Sequence, residues 1–254
     1  MSRVAVITGA AGGLGGALAA RLVTRGWQVW ALDLPSPALD AMAGPQVTPL
    51  GLDLTEDAAV AEAAARITAT TPAIDLVIHA AGITHIRALA DSDLASHRRV
   101  MAINHFAAVA LTRHLLPAVR RARGVHLAVS SVAGFAPLHH RTAYAASKHA
   151  LEGFFKSLAS EEAPHGVACL IAAPSFVATN PGRAEAQADG TARPGSASDG
   201  FDEMSPKAAA DIILKGVVRR RAFIPAGRVA WASWWINRLS PALYARLMRR
   251  RIGG

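Results

Sequence analysis

The 254-residue chain is 52% hydrophobic and 6% aromatic, with 21 glycines, a single cysteine and a formal net charge of +9. That composition excludes a disordered chain and a disulfide-stapled scaffold, and it suits small side chains packed tightly between helices and a buried sheet. The excess charge sits at one end: residues 216–254 hold nine arginines and no Asp, Glu or Lys, which leaves residues 1–215 neutral overall.

Met1 to Arg3 leads straight into the apolar run Val4 to Ile7, without the charged leader, long apolar core and cleavage site of a secretory signal, so the expected compartment is the cytosol. Apolar stretches of strand length then alternate with longer helical patterns. Residues 3–8, 28–33, 47–52, 74–79, 125–130 and 167–173 read as strands, and 13–25, 57–70, 91–121 and 142–163 as helices. Continuously apolar strands in β-α-β-α order predict an α/β fold of Rossmann type: a doubly wound parallel sheet with helices on both faces. In such sheets ligands bind beyond the carboxyl ends of the strands, where Thr8, His79, Ser131 and Pro174 fall. Cys169 lies in an apolar strand and reads as a buried thiol. Residues 180–206 are rich in glycine and small polar side chains and read as a substrate lid or a surface insertion. Ser205-Pro206 marks a new helix start, running to about Val218. The expected organisation is one catalytic domain over 1–227 followed by a basic helical tail over 228–254.

Three groups of residues carry chemistry. Thr8-Gly9-Ala10-Ala11-Gly12-Gly13-Leu14-Gly15 joins the first strand to the first helix, so a helix N-terminus can face a pyrophosphate at close range. Asp33 ends the second strand, where a carboxylate accepts from adenosine ribose hydroxyls and repels a 2′-phosphate; with no cation beside it in sequence, NAD is favoured over NADP. Tyr144 and Lys148 are four apart on a predicted helix, so an ammonium can bias the proton of a phenol whose free pKa is ~10. That pair reads as a general acid and base. No histidine has the companions of a metal site, and His139 and His140 read as pocket-lining or simply solvated.

Taken together, these residues resemble the short-chain dehydrogenases/reductases, over residues 3 to about 180. Gly9, Gly12, Gly13, Leu14 and Gly15 match the family's cofactor loop, while Asp53 and Leu54 match the segment beside the adenine. Ala81 and Gly82 match its turn after the fourth strand, and the Pro174 to Thr179 segment, with Val177 and Thr179, matches its nicotinamide side. Asn104, Ser131, Tyr144 and Lys148 match its catalytic tetrad, with Ser131 and Tyr144 at the family spacing of 13. The resemblance implies hydride transfer between a nicotinamide cofactor and an alcohol or ketone. Tyr144 would exchange the proton, Ser131 position the substrate oxygen, Lys148 lower the tyrosine pKa and bind the ribose, and Asn104 hold a relay water. It also implies a homodimer or homotetramer. Two departures stand out: His79 and Ala80 replace paired asparagines, and Ser175 replaces a glycine, from which altered cofactor affinity is expected. The rival reading is a non-catalytic dinucleotide-binding scaffold recruited by its tail.

The tail alternates arginine with large apolar residues, including Trp231, Trp234 and Trp235, and Ser240-Pro241 divides it. It reads as a basic amphipathic helix pair that meets a membrane interface, closes the pocket or makes a subunit contact. A lipophilic substrate would follow from the first. Nucleic acid is disfavoured, because bulky apolar residues interrupt the arginines and no nucleic-acid-binding motif is present.

Overall fold

The computed structural model describes residues 2–179, 187–192, 195 and 202–252. Seven strands form one parallel sheet: β1 (Val4–Thr8), β2 (Gln28–Asp33), β3 (Val47–Gly51), β4 (Leu76–His79), β6 (Val125–Val129), β7 (Ala168–Pro174) and β9 (Phe223–Ala226). Their spatial order is β3-β2-β1-β4-β6-β7-β9, so the winding reverses between β1 and β4. Thr8 is in register with His79 across that reversal, which puts the glycine-rich turn and the end of β4 on opposite lips of one crevice. The doubly wound α/β architecture is the one the alternating pattern predicts.

Alternation along each strand feeds two cores. Ile7, Val29, Ile78, Leu127 and Leu170 meet Leu18 and Leu22 of α1 (Gly13–Val23) and Ile213 and Leu214 of α7 (Pro206–Val218). On the other face Val6, Leu32 and Val77 meet Val60 and Ile67 of α3 (Asp57–Thr70) and Leu111, Leu115 and Val119 of α5 (Ala107–Ala122). Leu151, Phe155 and Leu158 of α6 (Thr142–Glu162) cover Ala128, Cys169 and Ile171. Leu111 and Phe155 are fully buried, and truncating either to alanine would cost about 2–5 kcal/mol. Burial pushes the Cys169 thiol up to about 12, consistent with an inert strand cysteine.

Several elements differ from the expected ones. The helix expected over 91–121 is broken: α4 (Leu94–Met101) and α5 flank a π-helical turn at Ala102–Phe106. A short α2 (Pro37–Asp40) follows β2, with Ser36 accepting from the Leu39 amide as its cap. β5 (Thr84–His85) pairs antiparallel with β8 (Thr191–Ala192), pinning part of the 180–206 segment to the body. The rest of the lid reading, at 180–186, 193–194 and 196–201, falls outside the described residues. The tail forms α8 (Arg228–Leu239) and α9 (Pro241–Ile252), divided at Ser240, whose hydroxyl accepts from the Leu243 amide.

Candidate active site

The glycine turn is shaped by contact. Gly9 has φ +68°, and a Cβ there would lie 2.8 Å from the Ala81 amide nitrogen. A Cβ on Gly15 would sit 2.1 Å from the Gly9 carbonyl oxygen, and one on Gly13 would meet Thr179 at 2.8 Å. The turn therefore touches both the Ala81 and the Thr179 segments. Gly12 caps α1 with no side-chain hydrogen bond, so the first-turn amides of Gly13, Leu14 and Gly15 are aimed out of the helix as an anion cradle. Asp33 is oriented from this turn: its carboxylate accepts from the Ala11 amide at 2.9 Å and the Leu34 amide at 2.8 Å. Asp53 instead accepts from the amide and hydroxyl of Thr55, making a local turn that seats buried Leu54.

Thr8 does more than end a strand. Its hydroxyl accepts from the amides of Ala80 and Ala81, both at 3.1 Å, and so fixes the turn on which the two asparagines are missing. His79 turns away from that job. Its Nε2 lies 3.3 Å from His126 Nδ1 and 3.3 Å from Thr112 Oγ1, inside a buried cluster in which the two imidazoles stack and Phe155 lies tilted against both. Burial and then the His126 ring hold its pKa well below the usual imidazole range, and burial takes His126 down to about 4.

The catalytic candidates converge on the ends of β4 and β6. Asn104 occupies the π-helical turn and is 1% exposed. Its Oδ1 accepts from the Ile83 amide at 2.8 Å, and its Nδ2 donates to the Ile83 carbonyl and to Ser147 Oγ, both at 2.9 Å. It thereby ties the Gly82-Ile83 strand exit to α6. A Cβ on Gly82 would lie 3.0 Å from Asn104 Oδ1 and 3.5 Å from Lys148 Nζ, so only a glycine leaves that space open. Ser131 caps a 3-10 turn, Val132–Gly134, after β6. Its hydroxyl accepts from the Ala133 amide at 3.2 Å and faces Tyr144 closely enough to favour the phenolate.

Tyr144 and Lys148 project from one face of α6, 8% and 5% exposed. Burial raises the Tyr144 pKa, while the Ser131 hydroxyl and the Arg141 charge pull it down. Lys148 donates to the Val129 carbonyl at 2.9 Å, and its Nζ stands 5.8 Å from the centre of the Tyr144 ring. Burial brings Lys148 down to about 8, with Glu152 pulling the other way.

Glu152 was missed in the sequence, although its signal is plain: it follows Lys148 by four, as Lys148 follows Tyr144. It is 1% exposed, accepts from Ser130 Oγ at 2.7 Å and pairs with Lys156 at 2.7 Å, anchoring the loop that carries Ser131. Gly134 is required beside it, since a Cβ would sit 2.3 Å from Glu152 Oε1.

On the far wall, Val177 bridges to Met204, which secures the Pro174 to Thr179 segment. Ser175 Oγ donates to Asp202 Oδ2 at 3.0 Å, and the same oxygen accepts from the Val229 amide at 2.9 Å. The unexpected serine thus joins β7 to the start of α8. His139 and His140 are exposed and lie against each other, 3.7 Å between ring centres. Among the described residues no group of three or more His, Cys, Asp or Glu could hold a metal ion.

This arrangement has relatives. The short chain dehydrogenase family model matches residues 3–189. The bovine protein "Dehydrogenase/reductase SDR family member 7B" is 34% identical over 98% of this chain and 81% of its own length. A Drosophila melanogaster "Dehydrogenase/reductase SDR family protein 7-like" is 31% identical over 98% of this chain and 80% of its own. Among solved structures, a Burkholderia cenocepacia short chain dehydrogenase in complex with NADP superposes with a TM-score of 0.84 at 26% identity, covering 97% of this chain and 98% of that one. Sequence, sheet order and site geometry agree, and the chain belongs to the short-chain dehydrogenase/reductase family of oxidoreductases.

Proposed function

We propose that the chain is an NAD-preferring oxidoreductase that interconverts an alcohol and a ketone on a lipophilic substrate. The observation that carries the reading is the buried face of α6, on which the Lys148 ammonium stands 5.8 Å from the centre of the Tyr144 ring, with Ser131 near enough to draw the phenol pKa down. The residues present fit a dinucleotide. The open amides of Gly13, Leu14 and Gly15 would hold the pyrophosphate, Asp33 the adenosine ribose, and Asp53 with Leu54 the adenine edge. Tyr144 and Lys148 would hold the nicotinamide ribose, and Pro174, Val177 and Thr179 the carboxamide side. When bound, the nicotinamide supplies or accepts hydride at its C4.

Everything else falls to the protein. In the reductive direction Tyr144 gives its phenolic proton to the oxygen as alkoxide charge develops, and in oxidation it takes the proton back. Ser131 donates to that same oxygen and holds it in line. A charged Lys148 steadies the phenolate, and burial of Tyr144 and Lys148 limits competition from water. Asp33 supports NAD because its fixed carboxylate would repel a 2′-phosphate. We further propose self-association through α5 and α6, near Phe106, which is 59% exposed and lies against His105.

The test is a panel of secondary alcohols and ketones followed by NADH absorbance. Tyr144→Phe is expected to lower kcat about 10²–10⁴-fold while NADH binding, read by fluorescence, is retained. Cofactor binding with no turnover of any substrate would replace this reading with that of a scaffold.

A further inference from the structure

The two faces of the tail differ in kind. Its inner face is core: Ala230 and Tyr244 are buried with Val132 and Ala136, and Asn237 Nδ2 donates to the Phe135 carbonyl at 2.6 Å. Its outer face is bare. Trp231, Trp235 and Leu239 follow at intervals of four along α8 and are 57%, 40% and 77% exposed, and Leu243 and Leu247 continue the stripe on α9. Arg228, Arg238 and Arg246 are exposed around it. Between α7, β9 and α8 lies a groove of about 270 Å³ whose lining includes Lys215, Arg219 and Arg221 as well as Ile212, Ile224 and Trp231.

We propose that this face docks on a bilayer containing anionic phospholipid. Headgroup phosphates seat in the groove between α7 and α8, and the Trp231, Trp235 and Leu239 stripe enters the acyl boundary. The proposal stands on this surface alone; the proton and hydride chemistry does not depend on it, whereas the lipophilic character proposed for the substrate does.

Charge selects the occupant. Residues 216–254 contain no acidic side chain, so a two-fold contact through this face would set arginines against arginines. A nucleic acid would satisfy the arginines but leave Leu239, Leu243 and Leu247 in water. An anionic bilayer answers both halves of the surface, since tryptophan favours the headgroup level and basic amphipathic helices lie in the interface plane. No helix among the described residues is long and apolar enough to cross a membrane.

The experiment is co-sedimentation of the full chain with phosphatidylcholine vesicles, with and without about a third phosphatidylglycerol, alongside light scattering. Binding to the anionic vesicles is expected, weakening as salt is raised. Trp231→Ser/Trp235→Ser is expected to weaken it tenfold or more, and Arg219→Gln/Arg221→Gln also about tenfold or more. Both pairs are exposed or groove-lining, and an unchanged melting temperature shows that the fold is kept. A blue shift of tryptophan emission on anionic vesicles, absent in the tryptophan variant, is the second readout. The proposal is overturned by no vesicle binding, by equal binding to neutral vesicles, or by binding that survives both variants. It is also overturned if the variants change only the oligomeric state, which assigns the face to a second copy, or if only a duplex oligonucleotide binds.

Discussion

The buried pair His79 and His126 should make stability unusually sensitive to mild acid. Both imidazoles are neutral in the fold, because burial disfavours their charged forms, and His126 titrates only near about 4 against 6.5 when unfolded. Between those values the unfolded chain binds the extra proton, so stability is complete above pH 6.5 and is lost as pH falls toward 4. At 1.36 kcal/mol per pKa unit the full loss from His126 is about 3 kcal/mol, of which about 2 kcal/mol is gone by pH 5. His79 is shifted in the same direction and adds to it. The double variant His79→Leu/His126→Leu removes both groups while keeping apolar volume beside Phe155. Urea unfolding at pH 7 and pH 5 should show the parent losing at least about 2 kcal/mol more than the variant across that interval. Carboxylates titrate in both proteins and cancel in the difference. Parallel losses in the two proteins would mean that the histidines accept protons without cost, and the account of the cluster would be wrong.

Lys148→Met should abolish turnover without destabilising the protein. With its pKa at about 8 against 10.5 unfolded, burying the ammonium costs about 3 kcal/mol below pH 8, a cost that disappears as pH rises from 8 to 10.5. The lost Val129 hydrogen bond offsets part of the gain, leaving the variant about 1–2 kcal/mol more stable at pH 7 by urea unfolding. Gly9→Ala combines a positive φ with a Cβ 2.8 Å from the Ala81 nitrogen, so it should cost more than about 1 kcal/mol and weaken NADH binding. Asp33→Ser should raise the NADP-to-NAD ratio of kcat/KM by tenfold or more, and an unchanged ratio would remove Asp33 from cofactor choice.

What could be read from the chain alone was local. β2 and α3 fall on the expected residues because a strand or helix of that length declares its own period, and Tyr144, Lys148 and the glycine turn declare theirs by spacing. The misses share a long reach. β9 is four residues with Pro225 inside, tolerable only because an edge strand need not donate on both sides. β5 and β8 pair two residues each across more than a hundred positions. The π-helical turn has no compositional mark; Ala102–Phe106 reads as ordinary helix, and the break appears only because Asn104 is held by Ile83 and Ser147. His79 looked like a loss of cofactor contact. Its actual partners, Thr112 and His126, lie on other elements, and Thr8 holds the turn instead.

The packing of the tail against the Ser131 loop also orders events in time. Asn237 meets Phe135 across 102 positions of chain. At a synthesis rate of about 5–20 residues per second, the loop emerges on the order of 5–20 s before the helix that backs it. During that interval the nascent protein has its glycine turn, Asp33 and α6, the parts that would hold a dinucleotide, but lacks the wall behind Ser131. The growing chain is therefore expected to acquire cofactor binding first and a closed reaction chamber last.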